Sequence, residues 1–157
     1  MPAPQVIRVD VHAVIPTNGG TALFLGNSRK SFLIFIDNAV GSAIAMYIGK
    51  VTPPRPQTHD LFSGLLQAIG ASLDRVVINH VEQETFFARI IVSIENEVQD
   101  KKLIELDARP SDGVALALRM DAPVFVSRAV WDEVEDRSEL LREMQAARQN
   151  EGEESDG

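Results

Sequence analysis

The chain has no cysteine, which excludes disulfides, thiolate-bound zinc and a thiol nucleophile and fits a reducing compartment. Histidine is scarce: His12, His59 and His80 are the only three, so a metal site built from imidazoles alone is not expected. No apolar run reaches the roughly 18 residues of a membrane span. The start, "MPAPQVIRVD", lacks the basic and apolar regions of a signal peptide. These absences lead us to expect a cytoplasmic chain without membrane association. Glycine-rich phosphate loops, GxSxG and HExxH are also missing, which removes the common nucleotide-binding, serine-hydrolase and zinc-protease signatures.

What remains is a 157-residue chain that is 45% hydrophobic, enough for one domain with a substantial core. The net charge of −8 is unevenly spread. Residues 132–157 hold ten acids against three arginines, whereas residues 1–131 hold thirteen acids against twelve bases. The body is therefore close to neutral, which neither demands nor forbids a phosphate-bearing ligand. The end, "QNEGEESDG", has the composition of a solvated tail, and 150–157 is expected to be disordered.

Val- and Ile-rich segments at 5–15, 21–26 and 31–36 read as strands separated by turn chemistry. Helical spacing follows, with Asp37 or Asn38 as N-cap and Gly49 as the stop. After the proline-rich connector 51–58, Thr58 is expected to cap a helix in which Leu61, Phe62, Leu65, Leu66 and Ile69 form one apolar stripe, closed by Gly70. Strands are then expected at 75–81, 85–94 and 101–106, a helix at 110–119 and a short strand at 122–126. The segment from Trp131 ends in a polar helix, 134–149, with Leu140, Leu141 and Met144 as a narrow apolar stripe. Trp131 is expected to dock this segment onto the body.

The order of elements restarts at an offset of 70 residues. Val6/Val76, Val11/Val81, Ile34/Ile104, Asp37/Asp107 and Ala45/Ala115 are identical pairs. The expected fold is therefore α+β: duplicated β-β-β-α units, about 5–49 and 75–119, forming a mixed, mainly antiparallel sheet with helices packed on it. One domain spans 1–133.

Two stretches could carry chemistry. In "LDARPSD" (106–112), Pro110 suits the first helical position and Asp112 the first turn. That architecture does not explain Asp107 with Arg109. The functional alternative uses the helix N-terminus and Arg109 to hold a phosphate. Asp107 and Asp112 would then hold Mg²⁺ or Mn²⁺ and activate water. In "PPRPQTHD" (53–60), Asp60 could simply complement the helix dipole. Alternatively Arg55, His59 and Asp60 line a site in which His59 moves protons. His12 and His80 fall in strands and read as structural. Glu82 and Glu84 read as solvated acids of a hairpin turn.

"PPRPQTHDL" (53–61), "TFFARI" (85–90) and "LDARPSDGVALALRMDAPVFV" (106–126) closely resemble the recurrent strings of the bifunctional nuclease domain family. The resemblance covers roughly residues 5–133. It implies a nuclease acting on both DNA and RNA with low sequence specificity, and a homo-oligomer, dimer or higher. By motif match it carries over Arg55, His59, Asp60, Asp107, Arg109, Ser111 and Asp112, with Arg55, Arg109 and Ser111 as phosphate contacts. One departure stands out. Where the family usually reads like "IGxxEAxAI", this chain has "IDNAVGSAI" (36–44), with Asp37 in place of the Gly and Val40 at the Glu position. The alternative class is a non-catalytic domain that binds a small anion or a protein, favoured by the lack of a basic stripe.

Overall fold

Alternating apolar residues set the sheet. In the computed structural model, residues 5–95, 97–98 and 100–155 are described. β1 (Val6–Thr17), β2 (Gly20–Gly26) and β3 (Ser31–Ile36) form an antiparallel meander. β4 (Ala71–Glu82), β5 (Thr85–Glu95) and β6 (Lys101–Ala108) form another. Short β7 (Val124–Ser127) joins them, antiparallel to β1 and parallel to β4. The result is one open, mainly antiparallel sheet of order β3-β2-β1-β7-β4-β5-β6, the α+β class expected. β4 begins four residues earlier than its Val/Ile run indicated, because Ala71, Leu73 and the positive φ of Gly70 bring the chain straight from helix into strand.

Helices α1 (Asn38–Ile48), α2 (Thr58–Ala68) and α3 (Pro110–Met120) share one side of the sheet, with α3 packed against both others. Small residues let α3 settle deeply. A Cβ on Gly113 would stand 2.8 Å from Val76 Cγ1, so the helix approaches β4 as closely as backbone allows. The main core lies here, with Leu23, Leu25, Ile44, Val76, Ile78 and Val114 among its buried members. α4 (Arg128–Glu133) was not expected from the sequence. It carries Trp131, whose ring meets Phe32 edge-on at 6.2 Å and whose carbonyl accepts Lys30 Nζ at 2.5 Å. Trp131 thus docks the C-terminal segment as expected.

α5 (Ser138–Ser155) lies on the opposite face. Because strand residues alternate, β2 sends Leu23 and Leu25 to the main core and Ala22 and Phe24 to a second cluster with Ile15 and Leu141. The narrow stripe of Leu140, Leu141 and Met144 makes that contact. The helix runs through 150–155, where the sequence indicated disorder; residues 156 and 157 lie outside the described residues.

The α2 stripe divides. Leu66 is buried and Phe62 packs on the core, but Leu61, Leu65 and Ile69 face outward, Leu61 at 69% exposure. Gln57, one residue earlier than expected, occupies the N-cap position, and Thr58 is the first helical residue. No helix among the described residues is long and apolar enough to cross a membrane.

Candidate active site

The sequence places an acid where β3 gives way to α1 and an arginine where β6 gives way to α3. Asp37 follows β3 and caps α1, its Oδ1 accepting the Val40 N–H at 2.9 Å. Arg109 follows β6 and holds the same position before α3. The two cap residues meet: Arg109 Nη1 donates to Asp37 Oδ2 at 2.9 Å. Arg109 also grips Asp112 in the first turn of α3, through Nε to Oδ2 at 2.8 Å and Nη2 to Oδ1 at 3.3 Å. On the far side of Asp112, His59 of α2 brings Nε2 to 2.8 Å from Oδ1. The four side chains form one hydrogen-bonded chain, Asp37–Arg109–Asp112–His59, whose first two links are ion pairs.

Electrostatics favour the charged forms of Asp37, Arg109 and Asp112. Burial alone would raise the Asp112 pKa, but the hydrogen bonds from Arg109 and His59 outweigh it and hold the carboxyl below its ordinary value. Asp37 is also lowered, first by the Val40 N–H and then by Arg109. Arg109 is raised by Asp112 and then Asp37. An ionised Asp112 can only accept, so His59 Nε2 carries the proton. In the neutral tautomer this leaves the lone pair on Nδ1, which has no hydrogen-bond partner among the described residues. The His59 side chain is 12% exposed, so its ring is held and largely shielded.

A cavity of about 510 Å³ opens against this chain, with Ala39 and Ala43 of α1, Thr58 and His59 of α2, and Arg109 and Asp112 as walls. Three helix N-termini therefore converge on it. Gln57 and Asp60 stand in a capping-box arrangement on α2, whereas Arg109 does not cap α3 with its side chain, which leaves first-turn N–H groups of α3 and its positive dipole end available to an anion.

Of the residues singled out from sequence, His59, Arg109 and Asp112 are brought together. Asp60 lies one residue away but turns elsewhere: its Oδ2 accepts the Gln57 N–H at 2.9 Å, and its Oδ1 accepts Arg119 Nε at 2.7 Å. Both bonds, Gln57's first, lower its pKa. Arg55 is exposed beside a neighbouring cavity. Ser111 is 4% exposed, inside the α3 packing rather than at a surface a phosphate would touch. Asp107 is an exposed β6 residue opposite Arg89 of β5, and no hydrogen bond or ion pair joins it to the cluster among the described residues.

This arrangement does not fit the expected divalent cation. Both Asp112 oxygens already accept from Arg109 or His59, and Asp107 stands apart. Among the described residues no group of three metal-ligating side chains assembles. The sequence marks Asp37 as an N-cap and as a departure from the family pattern but not as a site residue, yet it anchors Arg109. Arg119 falls within the motif string 106–126 but is not among the candidate site residues read from the sequence.

The decisive comparison is with families. The pattern described as "Bifunctional nuclease domain" matches residues 23–139, well over half of the sequence. This chain belongs to the bifunctional nuclease domain family. An uncharacterized protein of Mycobacterium tuberculosis, found in two strains, is 39% identical over 104 residues, covering 66% of this chain and 58% of that protein. Bifunctional nuclease 1 of Oryza sativa and the bifunctional nuclease of Oryza minuta are 27% identical over 78 residues, or 49% of this chain and 23% of theirs. The chain thus spans little more than half of its mycobacterial relative and about a quarter of the plant ones. In this bifunctional nuclease domain, the motif residues His59, Arg109 and Asp112 are the ones that share a cavity.

Proposed function

We propose that this bifunctional nuclease domain cleaves phosphodiester bonds in DNA and RNA with low sequence specificity, and that the Asp37–Arg109–Asp112–His59 chain carries out the reaction. One observation carries the reading: a shielded histidine, oriented by an ionised carboxylate, faces a cavity where three helix N-termini converge. His59 Nδ1 takes the proton of the attacking hydroxyl, the RNA 2′-OH or a water, and returns a proton to the leaving oxygen. Asp112 fixes the ring and balances the imidazolium that forms. Arg109 has five N–H groups and uses three on the two carboxylates. The other two remain for a phosphate oxygen, with Asp37 holding the guanidinium still. No step is assigned to a metal, since Asp107 and Asp112 do not assemble a site for one.

The test is cleavage of labelled RNA and DNA oligonucleotides by the purified chain, with and without EDTA. His59→Ala should lower the rate by about 10²-fold or more, within the usual range for a general base, and EDTA should leave the parent rate unchanged. Cleavage surviving His59→Ala at the parent level would assign the activity to a contaminant. Binding of short anions without any cleavage would instead favour the non-catalytic, anion-binding class. Homo-oligomerisation belongs to the same proposal, supported by the outward stripe of Leu61, Leu65 and Ile69, and size-exclusion chromatography with light scattering reads it directly.

A further inference from the structure

A second cavity, of about 390 Å³, lies against the other side of the 53–57 connector, and Gln57 lines both. Tyr47, Val51 and Pro54 are among its apolar walls, and Thr52, Arg55, Gln57, Asp60 and Arg119 supply its polar groups. Two of them have unused hydrogen-bonding capacity. Arg119 has a side chain only 7% exposed; Nε donates to Asp60 Oδ1 and Nη1 to the Ala115 carbonyl at 3.1 Å, but Nη2 makes no hydrogen bond among the described residues. Its guanidinium sits 5.4 Å from the Tyr47 ring centroid, leaving that half-exposed ring as a platform. Gln57 Oε1 is fully buried beside the Asp60 N–H in the capping-box arrangement of α2 but makes no hydrogen bond, while Nε2 makes only a long contact of 3.7 Å to Met46 Sδ. Buried acceptors are rarely left unpaired, and each that is needs an explanation. The amide torsion of Gln is soft, so a small rotation turns Oε1 toward the cavity.

A donor on Arg119, an acceptor on Gln57 and an aromatic wall together describe a ligand: a flat ring with a C=O beside an N–H. We propose that this cavity is a base subsite for lactam-edged nucleobases, uracil, thymine or guanine, with the ring against Tyr47, its C=O on Arg119 and its N–H on Gln57. The assignment of a nucleic-acid base, rather than any other lactam, rests on the nuclease reading of the adjoining cavity. Adenine and cytosine present an amino group where the lactam presents C=O, and so leave Arg119 facing a donor.

The experiment is equilibrium binding of UMP, GMP, AMP and CMP to the full chain by calorimetry. UMP and GMP should bind at least about tenfold more tightly than AMP and CMP, a modest part of what mismatching a buried polar group costs. Tyr47→Ala should weaken all four. Gln57→Leu should erase the preference, whereas Gln57→Glu, which keeps an acceptor, should retain it; circular dichroism confirms that each variant is folded. Equal binding of the four nucleotides, no binding at all, or a preference that survives Gln57→Leu would overturn the proposal. The preference without any cleavage of oligonucleotides would sustain the subsite while refuting the nuclease reading. Cleavage with no base preference would do the reverse.

Discussion

Asp112→Asn probes the site with the smallest change in shape. The carboxylate accepts three N–H groups: His59 Nε2, Arg109 Nε and Arg109 Nη2. An amide has one acceptor oxygen. If that oxygen stays with Arg109, the amide NH₂ faces His59 Nε2 and forces the lone pair there, which moves the ring proton to Nδ1. The basic nitrogen then points at the introduced amide instead of the cavity. The loss in single-turnover cleavage should match that of a general base held in the wrong tautomer, about 10²–10⁴-fold. The stability change should be much smaller. Hydrogen bonds to charged groups contribute about 1.5–3 kcal/mol, but a side chain 32% exposed is partly screened, so the net is about 1–2 kcal/mol. For a chain of this length that lowers the melting midpoint by about 2–8 °C, measurable by calorimetry. A variant that melts normally and cleaves within about twofold of the parent would refute the claim that Asp112 sets the His59 tautomer.

Asp37 can be dissected in the same way: Asp37→Asn keeps a good N-cap, so stability should hold, while Asp37→Ala should cost about 1 kcal/mol. Both remove the anchor of Arg109 and should lower cleavage several-fold; full activity in both would detach Asp37 from the site. Gly41→Ala would place a Cβ 2.5 Å from Thr21 Oγ1, disturbing the Thr21–Asn38 hydrogen bond behind the start of α1. Overpacking of this kind costs about 1–3 kcal/mol, and a variant melting as the parent does would show that β2 yields freely. The carboxyls of Asp37, Asp60 and Asp112 are all lowered from 3.8 in the fold. Their contribution is therefore complete above that value and is lost as the pH falls through the lowered folded values. Melting midpoints should be level from about pH 7 to 5 and fall below about pH 4, less steeply in Asp112→Asn; a midpoint that rises on acidification would contradict the ion-pair chain.

The strands were legible because burial follows alternation, and α1 because Asp37 and Gly49 mark its ends. The α2 stripe misled because periodicity shows which residues share an arc of the helix but not how much of that arc the sheet covers. Leu66 reaches the core, while Leu61 and Leu65, one step around, do not. The site was half legible for a related reason. Aligning the halves at 70 residues set Asp37 opposite Asp107, and so drew attention to Asp107 as the partner of Arg109. In the fold the residues that meet are the caps of α1 and α3, Asp37 and Arg109, 72 residues apart. Two residues of slip moved the chemistry from an exposed strand residue to a cap. His59 and Asp112 are 53 residues apart, and only the packing of α2 on α3 brings them together, which no local spacing encodes.

The same geometry resolves the apparent conflict between an acidic chain and an anionic substrate. With His59 neutral, the ion-pair chain sums to −1, from two carboxylates and one guanidinium. Against it stand three helix N-termini of roughly half a positive charge each, so the cavity is close to neutral or slightly positive where a phosphate would sit. The excess acid is elsewhere. It lies mostly on α5 and the segment leading to it, and α5 is anchored through Leu141 to Ile15 and Phe24 on the opposite face of the sheet. Those carboxylates lie across the sheet from the cavity, so distance weakens their repulsion of an anion at the site. On the proposed nuclease reading, a phosphodiester would need no basic stripe across the body, because local helix dipoles and the two remaining N–H groups of Arg109 would supply the attraction at short range, which favours low affinity and weak sequence preference over tight, salt-driven binding.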